Sequence, residues 1–268
     1  MNAMMPRQDV HLRRSRTDSG VEWLVLNRPA ARNALSLDML AALELALAEV
    51  AASDARCVLL AAEGPVFSAG HDLKELTAHR ADADAGLAFY TQVMAACARV
   101  MQAVVNLPQP VIAVVEGVAT AAGCQLVASC DMAVATPAAK FCTPGVEIGL
   151  FCSTPAVALS RAVPRKAAMD MLLTGRMVGA EEARAMGLIN RIADDARGAA
   201  LGIAEGIAAR SALTVRLGKA GFNAQAGCAL PEAYAAAAAV MVDNMMAHDA
   251  QEGIGAFLQK RHPTWQDR

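Results

Sequence analysis

Aromatic residues make up only 4% of the 268-residue sequence, too few to build the stacking platforms that single-stranded nucleic acids use. Net charge is equally scarce: 24 Lys and Arg stand against 26 Asp and Glu, a formal balance of −2, so no basic field exists to hold a phosphate backbone. Nucleic acid is therefore not an expected partner. No apolar run approaches the ~18 residues of a membrane span; the longest, Ala235 to Val242, stops at Asp243. A membrane is not an expected partner either. The segment before Arg13-Arg14-Ser15-Arg16 lacks the apolar stretch of a secretory leader. Cys57, Cys97, Cys124, Cys130, Cys142, Cys152 and Cys228 are odd in number and contain no C-x-x-C pair, a pattern of small buried hydrophobes in a reducing compartment. That places the protein in the cytoplasm, or in the mitochondrion if its source is eukaryotic. His11, His71, His79, His248 and His262 have no metal-ligand spacing. Phosphate-loop and nucleophile-elbow motifs are missing, and Gly253-Ile254-Gly255 lacks the third glycine of a dinucleotide fingerprint. Neither a metal nor a redox cofactor is implied.

What is present is a chain 55% hydrophobic and 19% charged, the composition of a compact, alanine-rich globule. The first twenty residues are polar and contain a fraying end. Val21 to Leu26 follows as a strand, and Ser36 caps a helix carrying Leu40, Leu43, Leu47 and Val50. Cys57 to Ala62 reads as a buried strand. A second long helix presents Tyr90, Val93, Cys97, Val100, Met101 and Val104 on one face and ends before Pro108. Val111–Val115, Met132–Ala135 and Lys140–Cys142 are further strands. Ala156–Val163, Arg165–Thr174 and Ala180–Met186 read as helices, and Leu188–Ile192 as a last strand. Beyond Asp194 the pattern is helical only, with Pro231 opening one helix and Gln251 another. The expected organisation is an α/β core over residues 1–195 and a helical C-terminal module over residues 196–268.

An internal repeat organises the core. Glu63-Gly64 lies over Glu116-Gly117, Ala69-Gly70 over Ala122-Gly123 and Leu73 over Leu126, each pair 53 residues apart. Each copy reads strand, turn, short strand, small-residue bend and helix, so the unit is ββα, and its reuse suggests a spiral sheet with helices outside. The bends matter chemically because Ala and Gly admit close backbone approach, and the first amides of a helix have no internal partner. Two converging bends make an oxyanion hole, which stabilises the oxygen of an enolate or tetrahedral intermediate by roughly 3 kcal/mol per donor. Close helix-on-strand packing is the alternative use of an Ala-Gly pair.

At these residues the chain resembles the enoyl-CoA hydratase/isomerase (crotonase) superfamily over almost its full length. Leu26–Ser36, Phe67–Glu75, Gly117–Leu126, Lys140–Leu150 and Glu252–Phe257 resemble that family's blocks in order. The wording of Gly149–Pro155 and Ala162–Lys166 is similar to one branch that is mitochondrial in animals. The resemblance implies a right-handed ββα spiral with a C-terminal helical oligomerisation module, a homotrimer or dimer of trimers, and an acyl-CoA thioester as small-molecule partner. It implies that the backbone N–H groups of His71 and Ala122 form the oxyanion hole. Ala69, His71 and Leu73 then line the CoA path, Arg32 and Lys74 lie near its phosphates, and Phe257 with Lys260 reaches the adenine-ribose end from the C-terminal module.

The positions matching the family's two water-managing glutamates are Gln125 and Gly145. A carboxamide orients a water but is no general base near neutral pH, and glycine has no side chain. Losing both carboxylates argues against efficient hydration, at about 10²-fold or more per proton transfer. Two substitute acids or bases are considered. Glu147 lies two residues past Gly145, on the same side if the segment is extended, and the His71 imidazole stands in the oxyanion loop. Three readings stay open at this point. The first is an acyl-CoA enzyme that stabilises a thioester enolate for a reaction other than hydration, such as malonyl-type decarboxylation. The second is a non-catalytic acyl-CoA-binding or regulatory protein, and the third a hydratase with relocated acids.

Overall fold

The computed structural model describes residues 11–268, and the part of the expected fraying end before His11 lies outside the described residues. From Leu12 to Arg16 the chain is not frayed but forms strand β1, antiparallel to β2 (Val21–Leu26). Its polar letters conceal it, because an edge strand is held by backbone pairing and tolerates charge on its open side. Arg14 pairs with Glu22 and Glu49, and Arg16 with Asp54.

Helix α1 (Leu37–Ala51) starts as the sequence predicts. The Ser36 hydroxyl accepts the Met39 N–H, Asp38 lies in the first turn, and Met39, Leu40, Leu43, Leu47 and Val50 are buried. Strand β3 (Cys57–Ala62) is buried throughout and leads to β4 (Val66–Ser68) and the short helix α2 (Leu73–Ala78). The Asp72 carboxylate caps α2 by accepting the N–H groups of Lys74 and Glu75. Helix α3 (Leu87–Asn106) buries Val93, Cys97, Val100, Met101 and Val104 and stops before Pro108. The order then repeats as β5 (Val111–Val115), β6 (Val118–Thr120) and α4 (Ala122–Ser129), and again as β7 (Met132–Ala135), β8 (Lys140–Cys142), a 3-10 turn over Pro144–Ile148 and α5 (Ser153–Ala162).

Equivalent strands stack side by side. β3, β5 and β7 run parallel in a six-stranded sheet ordered β1-β2-β3-β5-β7-β10, where β10 is Arg191–Ile192, and β4, β6 and β8 run parallel in a four-stranded sheet ordered β4-β6-β8-β9, where β9 is Val178–Gly179. Each turn of the chain is one ββα unit, so the fold is the expected α/β spiral. Helix α6 (Arg165–Thr174), strand β9 (Val178–Gly179), helix α7 (Ala180–Ala185) and strand β10 (Arg191–Ile192) complete it. Several details differ from the sequence pattern, for α5 begins at Ser153 rather than Ala156 and the last helix at His248 rather than Gln251. β9 is too short to leave a signal, and the last strand begins at Arg191 because the Leu188 and Ile189 amides fold back onto the Ala183 carbonyl to finish α7.

Helix α8 (Ala196–Ala208) lies flat on the six-stranded sheet. It buries Ala196, Ala200, Ala204 and Ala208, spaced one turn apart, against Val21, Leu59, Ile112 and Val134. Methyl side chains let the helix axis come close to the sheet. Beyond it, α9 (Ala212–Gln225), α10 (Leu230–Met246) and α11 (His248–Leu258) pack mainly on one another, and α9 and α10 bury no residue fully. Lys219 ties α9 to the core: its ammonium donates to the Val104 and Gln109 carbonyls and to Asp131. The side chain is 9% exposed. Replacing Lys219 with Ala takes this donor from the Val104 and Gln109 carbonyls and leaves Asp131 with the Val111 N–H, and the expected loss is about 2 kcal/mol. It is read as a lower melting temperature and faster protease cleavage within residues 212–258; an unchanged protein on both readouts contradicts this anchoring role.

Candidate active site

The site is built where the ends of β4 and β6 meet. Their pairing begins with Val66 opposite Val118, a separation of 52 residues, and after a bulge continues with Ser68 opposite Ala119, a separation of 51. The 53-residue sequence repeat is thus shortened in space by two places. Gly70 comes to lie against Ala121 rather than against its sequence counterpart Gly123: a Cβ on Gly70 would stand 2.9 Å from the Ala121 Cβ, 3.0 Å from the Thr120 carbonyl and 3.1 Å from the Ala122 nitrogen. The approach is reciprocal. A Cβ on Gly123 would stand 2.4 Å from the Ser68 carbonyl oxygen. Gly70 has φ of +81° and Ala121 of +51°, the second an uncommon conformation for a residue with a side chain.

His71 and Ala122 follow these two positions of positive φ. Leu35 forms an isolated parallel bridge to His71, with its N–H donating to the Gly70 carbonyl. Ala121 donates to Cys142, but the N–H groups of His71 and Ala122 donate to no acceptor among the described residues. Ala122 opens α4, where a free amide is the rule. Beneath the first bend, Asn33 is fully buried and acts as a clip. It accepts the Arg28 N–H and donates to the Glu63 and Val66 carbonyls, while its own carbonyl receives the Ser68 hydroxyl. The sequence motif contains Asn33, yet its role was not apparent from residue type; its signal is a carboxamide between two apolar strands, followed by a helix cap.

Around the bends, Gln125 is 4% exposed and its Oε1 accepts the Cys97 thiol at 3.9 Å. Burial pushes that thiol up to about 11, so it stays protonated and donates. Cys124, Cys142 and Cys152 are likewise raised chiefly by burial, which makes them inert packing groups near neutral pH. Gly145 sits in a closed space: a Cβ there would lie 2.8 Å from the Leu150 carbonyl and 2.9 Å from the Cys152 sulfur. Glu147 lies on the 3-10 turn Pro144–Ile148, not on an extended segment, so two residues carry it about two-thirds of a turn round from Gly145. It is exposed and its Cγ faces Gly175. The His71 ring holds its Nδ1 3.4 Å from the Leu35 carbonyl, and burial lowers its pKa, so the imidazole is neutral.

The remaining predicted residues fall into two groups. Arg32, Ala69, Leu73 and Lys74 form one lip beside His71: the Ala69 N–H donates to the Arg32 carbonyl, and Leu73 and Lys74 are exposed at the start of α2. Phe257 and Lys260 belong to the other module. Phe257 is 83% exposed on α11, and Lys260 follows that helix with φ of +54°. The tail beyond them is fastened to the start of α9 through Asp267, which pairs with Arg56 and accepts the Ala212 N–H. No hydrogen bond or ion pair among the described residues joins this pair to the Arg32–Lys74 lip. No cluster of three His, Cys, Asp or Glu side chains among the described residues is arranged to hold a metal ion.

Residues 16–268 match the family model described as enoyl-CoA hydratase/isomerase. The chain belongs to the enoyl-CoA hydratase/isomerase family. It is 49% identical over 263 residues to the rat protein named enoyl-CoA hydratase domain-containing protein 3, mitochondrial, covering 97% of this chain and 86% of that one. The crystal structure of the human protein of that name superposes with a TM-score of 0.90 at 48% identity, covering 95% of this chain and 100% of the other. An enoyl-CoA hydratase of Mycobacterium smegmatis superposes with a TM-score of 0.91 at 47% identity, covering 96% and 99%. The domain-containing protein 3 branch is thus the part of the family that this member resembles at high identity.

The closed space at Gly145 yields a prediction. Gly145→Glu forces a Cβ into the Leu150 carbonyl and the Cys152 sulfur, and about 2 kcal/mol of stability is expected to be lost. The measurement is thermal or urea unfolding beside Gly202→Ala, a position whose Cβ meets nothing within 4 Å and which should gain about 0.5–1 kcal/mol from helix propensity. A stable Gly145→Glu protein contradicts the account of this loop.

Proposed function

We propose that this family member is an acyl-CoA-thioester enzyme in which the His71 and Ala122 N–H groups hold the thioester oxygen and stabilise its enolate. The reciprocal packing of Gly70 on Ala121-Ala122 and Gly123 on Ser68 carries this reading. It fixes two amides that have no acceptor among the described residues at one place in the fold, where developing negative charge is best stabilised. Coenzyme A enters as part of the substrate, along the lip of Arg32, Ala69, Leu73 and Lys74. No resident metal or redox cofactor takes part in the proposed chemistry.

Simple hydration is not the favoured reaction. Gln125 replaces one glutamate with a group that cannot exchange a proton, and the surroundings of Gly145 leave no room for the other. Glu147 sits on the far side of a tight turn. A non-catalytic acyl-CoA-binding protein would use the same amides, and turnover separates the two readings.

Assembly into trimers, singly or in pairs, agrees with the exposed apolar surface of the C-terminal module. Leu230, Tyr234, Met241, Val242, Met245 and Met246 of α10 are each more than half exposed, a larger apolar face than a monomer ordinarily presents to water. A neighbouring copy would cover it, and Phe257 and Lys260 would reach the adenine-ribose end of CoA from there. Among the described residues no helix is long and apolar enough to cross a membrane. The mitochondrial designation of the animal relatives carries over if the source is eukaryotic, and a cytoplasmic location if it is bacterial.

Calorimetric titration with acyl-CoAs, run beside a crotonyl-CoA hydration assay, tests the proposal. The expected result is saturable binding with hydration at least about 10²-fold below that of a relative retaining both glutamates, since each lost proton-transfer group costs about that much. Gln125→Glu alone should not restore hydration. Gly123→Ala, which drives the two bends apart, should abolish binding. Hydration at the rate of a two-glutamate enzyme, or undiminished binding by Gly123→Ala, overturns the assignment.

A further inference from the structure

The two proposed donor amides are aimed in different ways. A trans peptide carries its C=O and N–H on opposite sides, so an amide is aimed by whatever holds the carbonyl of the residue before it. No cis peptide occurs among the described residues. For Ala122 that carbonyl belongs to Ala121, and it accepts the Gln125 N–H at 3.0 Å. This bond is part of the first turn of α4, so the second donor is aimed by its own helix. For His71 the carbonyl belongs to Gly70, and it accepts the Leu35 N–H at 2.7 Å. Leu35 lies in the loop ahead of α1, so the first donor is aimed from another part of the chain.

That loop has no ladder of its own to keep it in register. Arg32 and Asn33 have φ of +52° and +50°, outside regular structure, and Leu35 meets His71 in a single isolated bridge. The next rung is supplied by a side chain. Half-buried Glu75 accepts the Leu37 N–H on its Oε2 at 3.1 Å. Arg28 adds a second link: its Nη1 donates to the Ser36 hydroxyl at 2.8 Å, and its Nη2 lies 3.8 Å from the Asp72 carboxylate. Both helix starts are already capped without these contacts, α1 by Ser36 on Met39 and α2 by Asp72 on Lys74 and Glu75. What Glu75 and Arg28 add is a tie between the two segments, on either side of the Leu35–His71 bridge. An oxyanion donor is useful only when its direction is held to within about 10–20°, and this tie holds the segment that sets the direction of the first one.

The geometry points to Glu75 and Arg28 as positioning residues: by fixing Leu37 and Ser36 to the start of α2, they hold the Leu35 N–H on the Gly70 carbonyl and so aim the His71 N–H at the thioester oxygen. The inference rests on the acyl-thioester reading above. Both residues act through Leu35, and neither is assigned a contact with the ligand.

The test compares butyryl-CoA with S-butyl-CoA, the thioether of the same chain length without the carbonyl, by calorimetric titration of the full-length protein. Their affinity ratio reads the hydrogen bonds made to the thioester oxygen. The unaltered protein is expected to prefer butyryl-CoA by at least about tenfold, tenfold being about 1.4 kcal/mol. Glu75→Leu withdraws the acceptor from Leu37, and Arg28→Met withdraws the link between the two caps; each should bring the preference down to about threefold or less. Glu75→Gln keeps a carbonyl oxygen for the Leu37 N–H and should hold the preference within about twofold of the unaltered protein. The second readout is the infrared carbonyl band of bound butyryl-CoA carrying an isotope label at the thioester carbon, which hydrogen bonding displaces to lower frequency. That displacement should shrink in Glu75→Leu and Arg28→Met and persist in Glu75→Gln. A merely structural contact would lower the melting temperature and leave both the ratio and the band where they were. A ratio and band unchanged in both Glu75→Leu and Arg28→Met, or lost to the same extent in Glu75→Gln, overturns the inference and leaves the acyl-thioester reading standing. A ratio near one in the unaltered protein, or binding of neither ligand, removes both.

Discussion

Backbone rests on backbone at Gly70 and Gly123, and the remainder of the site is arranged around that contact. Each glycine occupies the space in which the other bend's main chain would meet a methyl group. Two strand ends that would diverge under ordinary side chains are thereby held together, and the amides that follow them emerge side by side. The interior of the spiral serves this contact. Asn33 fixes the loop under the first bend through its hydrogen bonds to Glu63 and Val66, and the parallel ladder from β4 through β6 to β8 sets the height of each strand end.

Close packing makes the contact between the two bends independent of the side chains that surround them. The two amides belong to the main chain and survive any side-chain substitution that leaves the bends intact. On the following helix and loop, where the proposed chemistry would need proton-moving side chains, stand a carboxamide hydrogen-bonded to a thiol and a glycine whose surroundings are closed. Close to the proposed enolate in the chain stand an uncharged Gln125 and a neutral His71. Such surroundings orient polar groups and exclude charge more readily than they activate a water.

Much of the fold was legible because burial imposes simple patterns. Met132–Ala135, Lys140–Cys142 and Arg165–Thr174 run between the same residues in the structure as in the sequence pattern, since each is a short segment bounded by turn or capping residues. Strand β1 was not, because Leu-Arg-Arg-Ser-Arg is held at a sheet edge by pairing and ion pairs that span the chain. At the site, the repeat in the sequence marks both bends but not their register in space, for a 53-residue offset carries no sign of the bulge that shortens it to 51. Glu147 was set on the wrong geometry because Pro-Gly-Val-Glu-Ile reads equally well as extended or as a 3-10 turn.

The bulge between Val66 and Ser68 constrains how chains of this kind can diverge. Loops elsewhere on the surface absorb insertions at little cost, but one residue gained or lost between Pro65 and Gly70 would slide the first bend past the second and bring a different amide to face Ala122. The number of residues in that stretch therefore matters more to the site than their identities. Two sequences with dissimilar letters but equal length across it can share the site, while a near-identical pair differing by a single gap cannot.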